Sequence, residues 1–170
     1  MKTILITLFS VMTMTTATAQ ENPFFRPFNT PHGTAPFQEI NITHYEPAFE
    51  KAMVEHQAEI DRITANPAAP SFANTIAEME YSGEMLSRVS SVFFNLLSSE
   101  SNEEMMEISQ QLSPKLSEHS NNINLNEDLF RRVKAVYDAR YTAGLTPEQI
   151  RLTEKYFEGF ENSGATLSPE

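Results

Sequence analysis

The chain has no cysteine and no tryptophan, and only five of its 170 residues are glycine. Without cysteine there is no disulfide framework, no thiolate metal site and no cysteine nucleophile. Basic residues are also scarce, with 12 Lys and Arg against 23 Asp and Glu and a formal charge of -11. A surface of that sign repels phosphates, which argues against a nucleic-acid binder and against docking on an anionic membrane. No run of about 20 apolar residues is present, so nothing reads as a membrane span. What remains is an ordinary globular composition, 40% hydrophobic and 21% charged, of a length that favours one domain.

Residues 1–19 differ from the rest. Lys2 is the only charge before Glu21. A short apolar core, Ile4 to Met12, is followed by Ala17-Thr18-Ala19. This order of positive charge, short apolar core and small residues predicts a secretory signal peptide cut after Ala19. The competing reading, a membrane anchor, needs an apolar stretch about twice as long. Export, to the periplasm in a Gram-negative source or to the outside, is the expectation. After cleavage no membrane association is expected.

Residues 20–42 hold Pro23, Pro27, Pro31 and Pro36 with Phe24, Phe25, Phe28 and Phe37 between them. The prolines forbid a regular helix. The interleaved aromatics predict an extended segment pinned across a surface, with disorder as the alternative.

From residue 43 onward the apolar spacing is helical. Thr43 and Glu46 have capping-box spacing, and Phe49, Met53, His56 and Ile60 follow at three- and four-residue steps before Asn66-Pro67. A second helix is expected over 71–98, with Gly83 within its stripe as a point of close helix approach. Ser101 and Glu104 predict the start of a third, which Pro114 should kink or break near residues 110–113. Asn126 caps a fourth, closed by Gly144. Thr146-Pro147-Glu148-Gln149 opens a fifth, closed by Gly164. Ser168-Pro169-Glu170 repeats the pattern of cap, proline and acid, and predicts a sixth helix beginning where the sequence stops. A truncated chain is therefore expected. No sustained period-two alternation appears. The fold class is all-α, with antiparallel helices joined by short loops.

Candidate chemistry is sparse. The histidines are His32, His44, His56 and His119. No two are four apart, so no H-E-x-x-H zinc pair exists. His44 and His56 share the predicted first helix, but twelve residues separate them by more than about 15 Å, too far for one metal. His56 and Glu59 have i, i+3 spacing without a partner motif. His56 and His119 are therefore read as partly buried or surface side chains, and His32 as a turn residue. Glu78 and Glu80 fall on different helix faces. Glu103-Glu104 complements a helix dipole. Arg131-Arg132 reads as solvated surface. Asn41-Ile42-Thr43 fits a glycosylation triplet of low specificity.

The order of short segments says more. Asn22-Pro23-Phe24-Phe25, Pro31-His32-Gly33-Thr34-Ala35-Pro36-Phe37 and His44-Tyr45-Glu46-Pro47-Ala48-Phe49 resemble the N-terminal region of a peptidyl-dipeptidase of the thimet-oligopeptidase family of zinc metallopeptidases. Pro70-Ser71-Phe72-Ala73-Asn74-Thr75-Ile76, Glu80-Tyr81-Ser82-Gly83, Arg88 to Leu96, Ile123 to Asn126, Leu129 to Val133 and Ile150 to Leu152 continue the resemblance. Residues 43–170 then correspond to the helical N-terminal region of a larger peptidase fold.

The resemblance implies a helical enzyme around a deep channel that admits short peptides. It implies a zinc site built from an H-E-x-x-H helix, whose Glu activates the zinc-bound water. It also implies release of dipeptides from a free C-terminus. None of the four histidines matches a family ligand, so no catalytic, cofactor-binding or metal residue is assigned here. Zinc is expected in the full-length parent and not in this segment. The expected partners are short peptides and the remainder of the catalytic domain. The leading expectation is a channel-wall fragment that exposes apolar stripes such as Phe157 and Phe160. The alternative is a complete, non-catalytic helical module that binds a peptide or partner. A helical metal carrier is opposed by the histidine spacing.

Overall fold

The computed structural model describes residues 21–164. The predicted signal peptide and the predicted helix start at Ser168 lie outside the described residues. Six α-helices follow one another among the described residues: α1 (Tyr45–Thr64), α2 (Glu78–Tyr81), α3 (Glu84–Ser99), α4 (Glu103–Asn124), α5 (Glu127–Ala139) and α6 (Pro147–Asn162). A π-helical stretch, Phe72–Ala77, leads into α2. No strand occurs among the described residues, in agreement with the all-α reading.

Residues before α1 are pinned rather than loose. Phe24 is fully buried beside Tyr45 and Phe28. Arg88 of α3 donates to the Phe24 carbonyl at 3.2 Å, and the Asn22 side chain donates to the His44 carbonyl at 2.7 Å. Of the four phenylalanines, Phe37 stays exposed.

Two apolar cores share α1 as a spine. The first gathers Phe24, Tyr45, Phe49, Ala52, Val89, Phe93 and Leu112. The second gathers Ile60, Ile63, Ile76, Leu129, Val133 and Phe160. Ala52, His56 and Ile60 are four residues apart and lie along one helix face. His56 therefore sits between the cores.

Several local expectations are revised. The helix over 71–98 is not continuous. Ser82 is extended, with ψ 155°, and Gly83 is left-handed, with φ +70°, so the chain breaks between α2 and α3. A β-carbon at Gly83 would meet the His56 ring at 3.0 Å, so the glycine meets the expectation of close approach, but at a break. Pro114 does not break α4, which runs through it. An interior proline costs about 3 kcal/mol. Leu112 just before the proline and Leu116 just after it both pack on the first core, which holds the helix together across it.

Caps also shift. Asn41, not Thr43, forms a capping box with His44, on the 3-10 turn Ile42–His44 that precedes α1. Asn102, not Ser101, caps α4 by accepting from the Met105 N–H at 2.8 Å. Asn126 and the Thr146–Gln149 box act as expected. Helix α5 ends at Ala139, before Gly144. Phe160 is buried in the second core, and Phe157 stacks on Tyr137 with ring centroids 3.9 Å apart, so neither is an open stripe.

Candidate functional site

Polar groups converge where α1, α4 and the α2–α3 break meet. His56 is set by α1 and His119 by the C-terminal half of α4. Their rings meet edge to face, with His119 Nε2 3.0 Å from His56 Nδ1. His56 Nε2 lies 3.2 Å from Ser82 Oγ. The Ser82 hydroxyl donates to the Met79 carbonyl at 2.7 Å. Beside it, the Gly83 N–H donates to Glu59 Oε2 at 2.7 Å.

The network assigns the protons. With the Ser82 hydroxyl proton committed to Met79, Ser82 Oγ accepts from His56 Nε2–H. His56 Nδ1 then accepts from His119 Nε2–H. Both imidazoles are neutral in this arrangement. Burial holds His56 below its ordinary value, His119 pushes it the same way, and Glu59 opposes them. Burial also lowers His119.

A serine–histidine line of this kind resembles a nucleophile with its base. The geometry does not support that use. A base must accept the hydroxyl proton, whereas here His56 Nε2 donates and the hydroxyl points at Met79. Zinc does not fit either. His56 Nδ1, His56 Nε2 and Glu59 all hold protein partners, and among the described residues no three His, Asp or Glu side chains converge on one point.

Next to this cluster is a groove of about 420 Å³, bordered by His56, Glu80 and Ser82 on one side and Lys155, Tyr156 and Phe160 on the other. Tyr156 donates to Glu80 Oε2 at 2.8 Å across it. Burial and the adjacent carboxylate push the Tyr156 phenol well above its ordinary value.

The remaining singled-out residues lie elsewhere. His32 is exposed in the turn Pro31–Gly33 with φ +60°. His44 serves the Asn41 capping box. Arg132 is not solvated surface. It is buried and donates to the carbonyls of Asn66 and Ala68 and to Asn74 Oδ1. Sequence spacing missed the His56–His119 pair because 63 residues separate the two rings. The one available signal was that both occupy apolar-stripe positions.

No protein-family model matches the chain. Over 147 residues it is 42% identical to dipeptidyl carboxypeptidase of Escherichia coli (strain K12), covering 86% of this chain and 22% of that protein. The Salmonella typhimurium (strain LT2) dipeptidyl carboxypeptidase is 38% identical over 149 residues, covering 88% of this chain and 22% of that protein. Oligopeptidase A of E. coli (strain K12) is 28% identical over 149 residues, 88% of this chain and 21% of that protein. The chain is thus similar to part of proteins named dipeptidyl carboxypeptidase and oligopeptidase A. Identity is higher to the proteins named dipeptidyl carboxypeptidase than to oligopeptidase A. The chain spans about a fifth of the length of these relatives.

Proposed function

We propose that this chain forms the N-terminal, non-catalytic part of an exported zinc peptidyl-dipeptidase that releases dipeptides from the C-terminus of short peptides. Its helices contribute one wall of the channel that admits those peptides. The observation that carries the reading is 42% identity to a dipeptidyl carboxypeptidase over 86% of the chain, combined with coverage of only 22% of that relative. The zinc implied by the family is assigned to residues outside this chain, and no chemical step is assigned to any residue within it. Lys2, the apolar core Ile4 to Met12 and Ala17-Thr18-Ala19 support export with cleavage after Ala19.

The burial of Phe160 and the stacking of Phe157 favour a second reading, a self-contained helical module that binds a peptide or partner. One experiment separates the two. The native protein is captured with an antibody to residues 21–164 and its intact mass is measured. It is then assayed on an N-acetylated peptide with a free C-terminus, with and without a chelator. The peptidase reading expects a mass several-fold above 19.2 kDa and dipeptide release abolished by the chelator. A mass at or slightly below 19.2 kDa with no release overturns it in favour of the module. N-terminal sequencing of the same sample tests cleavage after Ala19.

A further inference from the structure

We propose that the His56–His119 contact is a proton-operated joint between the two apolar cores, closed when both rings are neutral and opened when both are charged. His56 lies on the inward face of α1, four residues after Ala52 of the first core and four before Ile60 of the second. On α4 the order is the same. Leu112 is buried in the first core, His119 follows, and Ile123 packs on the second.

The hydrogen-bond chain runs in one direction, from His119 through His56 and Ser82 to the Met79 carbonyl. A first added proton is tolerated. His56 takes it on Nδ1 and donates to His119 Nε2, which becomes the acceptor as its own proton moves to Nδ1. A second proton has no such solution. Both facing nitrogens then carry hydrogen, and two cations stand 3.0 Å apart in a half-buried seam. The pair titrates as a unit, and its second step forces the rings apart.

Charged groups around the seam offset its charge only in part: Glu59 favours a charged His56, whereas most of the other carboxylates hold partners of their own. On α1, Glu55 pairs with Lys51, and Glu59 accepts from Gly83 N–H. On α2, Glu80 accepts from Tyr156. On α3, Glu84 pairs with Arg88. On α4, Lys115 pairs with Glu50, and the exposed Glu118 adjoins His119 in sequence. From α6, Lys155 and Tyr156 face the groove beside His56, and Lys155 adds positive charge. The charged group that α5 brings toward the end of α1 is Arg132, which also adds positive charge. Opening separates the last turn of α4 from α1 and widens the groove lined by Ile123, Tyr156 and Phe160. This device stands whether or not the parent protein cleaves peptides.

Hydrogen–deuterium exchange of the full-length protein tests it, at about pH 7.5 and about pH 5.5, corrected for intrinsic exchange chemistry. Expected is about tenfold faster exchange at the lower pH in residues 79–83 and 119–124. Residues around Phe49 and Val89 should not change. The variant His119→Gln keeps a donor for His56 and cannot take a second charge, so its exchange should be insensitive to pH in this range. Equal acceleration throughout the chain, or the same local acceleration in His119→Gln, overturns the proposal. Should that variant fail to fold, histidine Cε1–H NMR titration of the wild type decides. Two coupled steps below the ordinary histidine range support the joint, and two independent ordinary titrations overturn it.

Discussion

Glu59 accepts a hydrogen bond from the backbone N–H of Gly83 at 2.7 Å, tying the middle of α1 to the break between α2 and α3. The break needs this tie, because a left-handed residue there interrupts the helical ladder and leaves its N–H to find a partner. Gly83→Ala combines left-handed strain with a β-carbon 3.0 Å from the His56 ring. It should cost about 2–3 kcal/mol, read as a lower urea midpoint. Glu59→Gln keeps an acceptor and should cost about 1 kcal/mol. Equal effects would show that charge, not geometry, matters at this tie.

Arg132 holds the loop after α1 from below. It supplies donors to Asn66, Ala68 and Asn74 while its Nε has no partner. Lysine cannot span three acceptors with one ammonium. Arg132→Lys should lose about 2 kcal/mol, and Arg132→Met about 3 kcal/mol. A surface arginine would change stability by less than about 0.5 kcal/mol, so thermal melts of the two variants discriminate.

Phe24 anchors residues before α1 in the first core, with no exposed surface. Phe24→Ala should cost about 3–4 kcal/mol. Limited proteolysis should then cut between residues 22 and 40 before it cuts α1. Uniform susceptibility along the chain would mean that the lead-in and the core unfold together.

Tyr156 donates to Glu80, and both burial and that carboxylate disfavour its phenolate. Its folded-state pKa is raised, so the folded protein holds the proton more tightly than the unfolded chain. The stability it contributes is full below the ordinary value of 10.0 and is lost as pH rises above that value. Tyr156→Phe should cost about 1 kcal/mol at neutral pH and flatten the alkaline loss. Ultraviolet titration of tyrosinate should show one fewer late-titrating residue in the variant.

His56 and His119 act in the opposite direction, because both are lowered from 6.5. The folded state binds fewer protons than the unfolded chain. Their contribution is full above pH 6.5 and is lost as pH falls through the lowered values. Urea midpoints should therefore fall between about pH 7 and pH 5 in the wild type, and fall less in His119→Gln.

Much of the helical order was legible locally. Asn126 and Thr146 cap their helices through side-chain bonds to residues three positions on, and such bonds are written in consecutive residues. Gly164 follows α6 with φ +88° for the same local reason. The caps that shifted moved by one or two residues, from Thr43 to Asn41 and from Ser101 to Asn102, where a neighbour of similar chemistry competes for the same backbone donors. The likeness to dipeptidyl carboxypeptidases was also legible, read from the order of segments such as Ser71 to Ile76 and Ser82-Gly83.

The sequence by itself determined an all-α chain, most of its helix ends and the absence of any cysteine chemistry, since these depend on composition and on bonds spanning three or four residues. Tertiary structure alone decided that α4 runs through Pro114, that Gly83 is a break and not a step in a helix, and that Arg132 is buried. It also decided that His56 and His119 share a proton-bearing contact. Each of these rests on groups brought together across dozens of residues. Packing of the two cores against α1 sets those contacts, and local propensity carries no information about them.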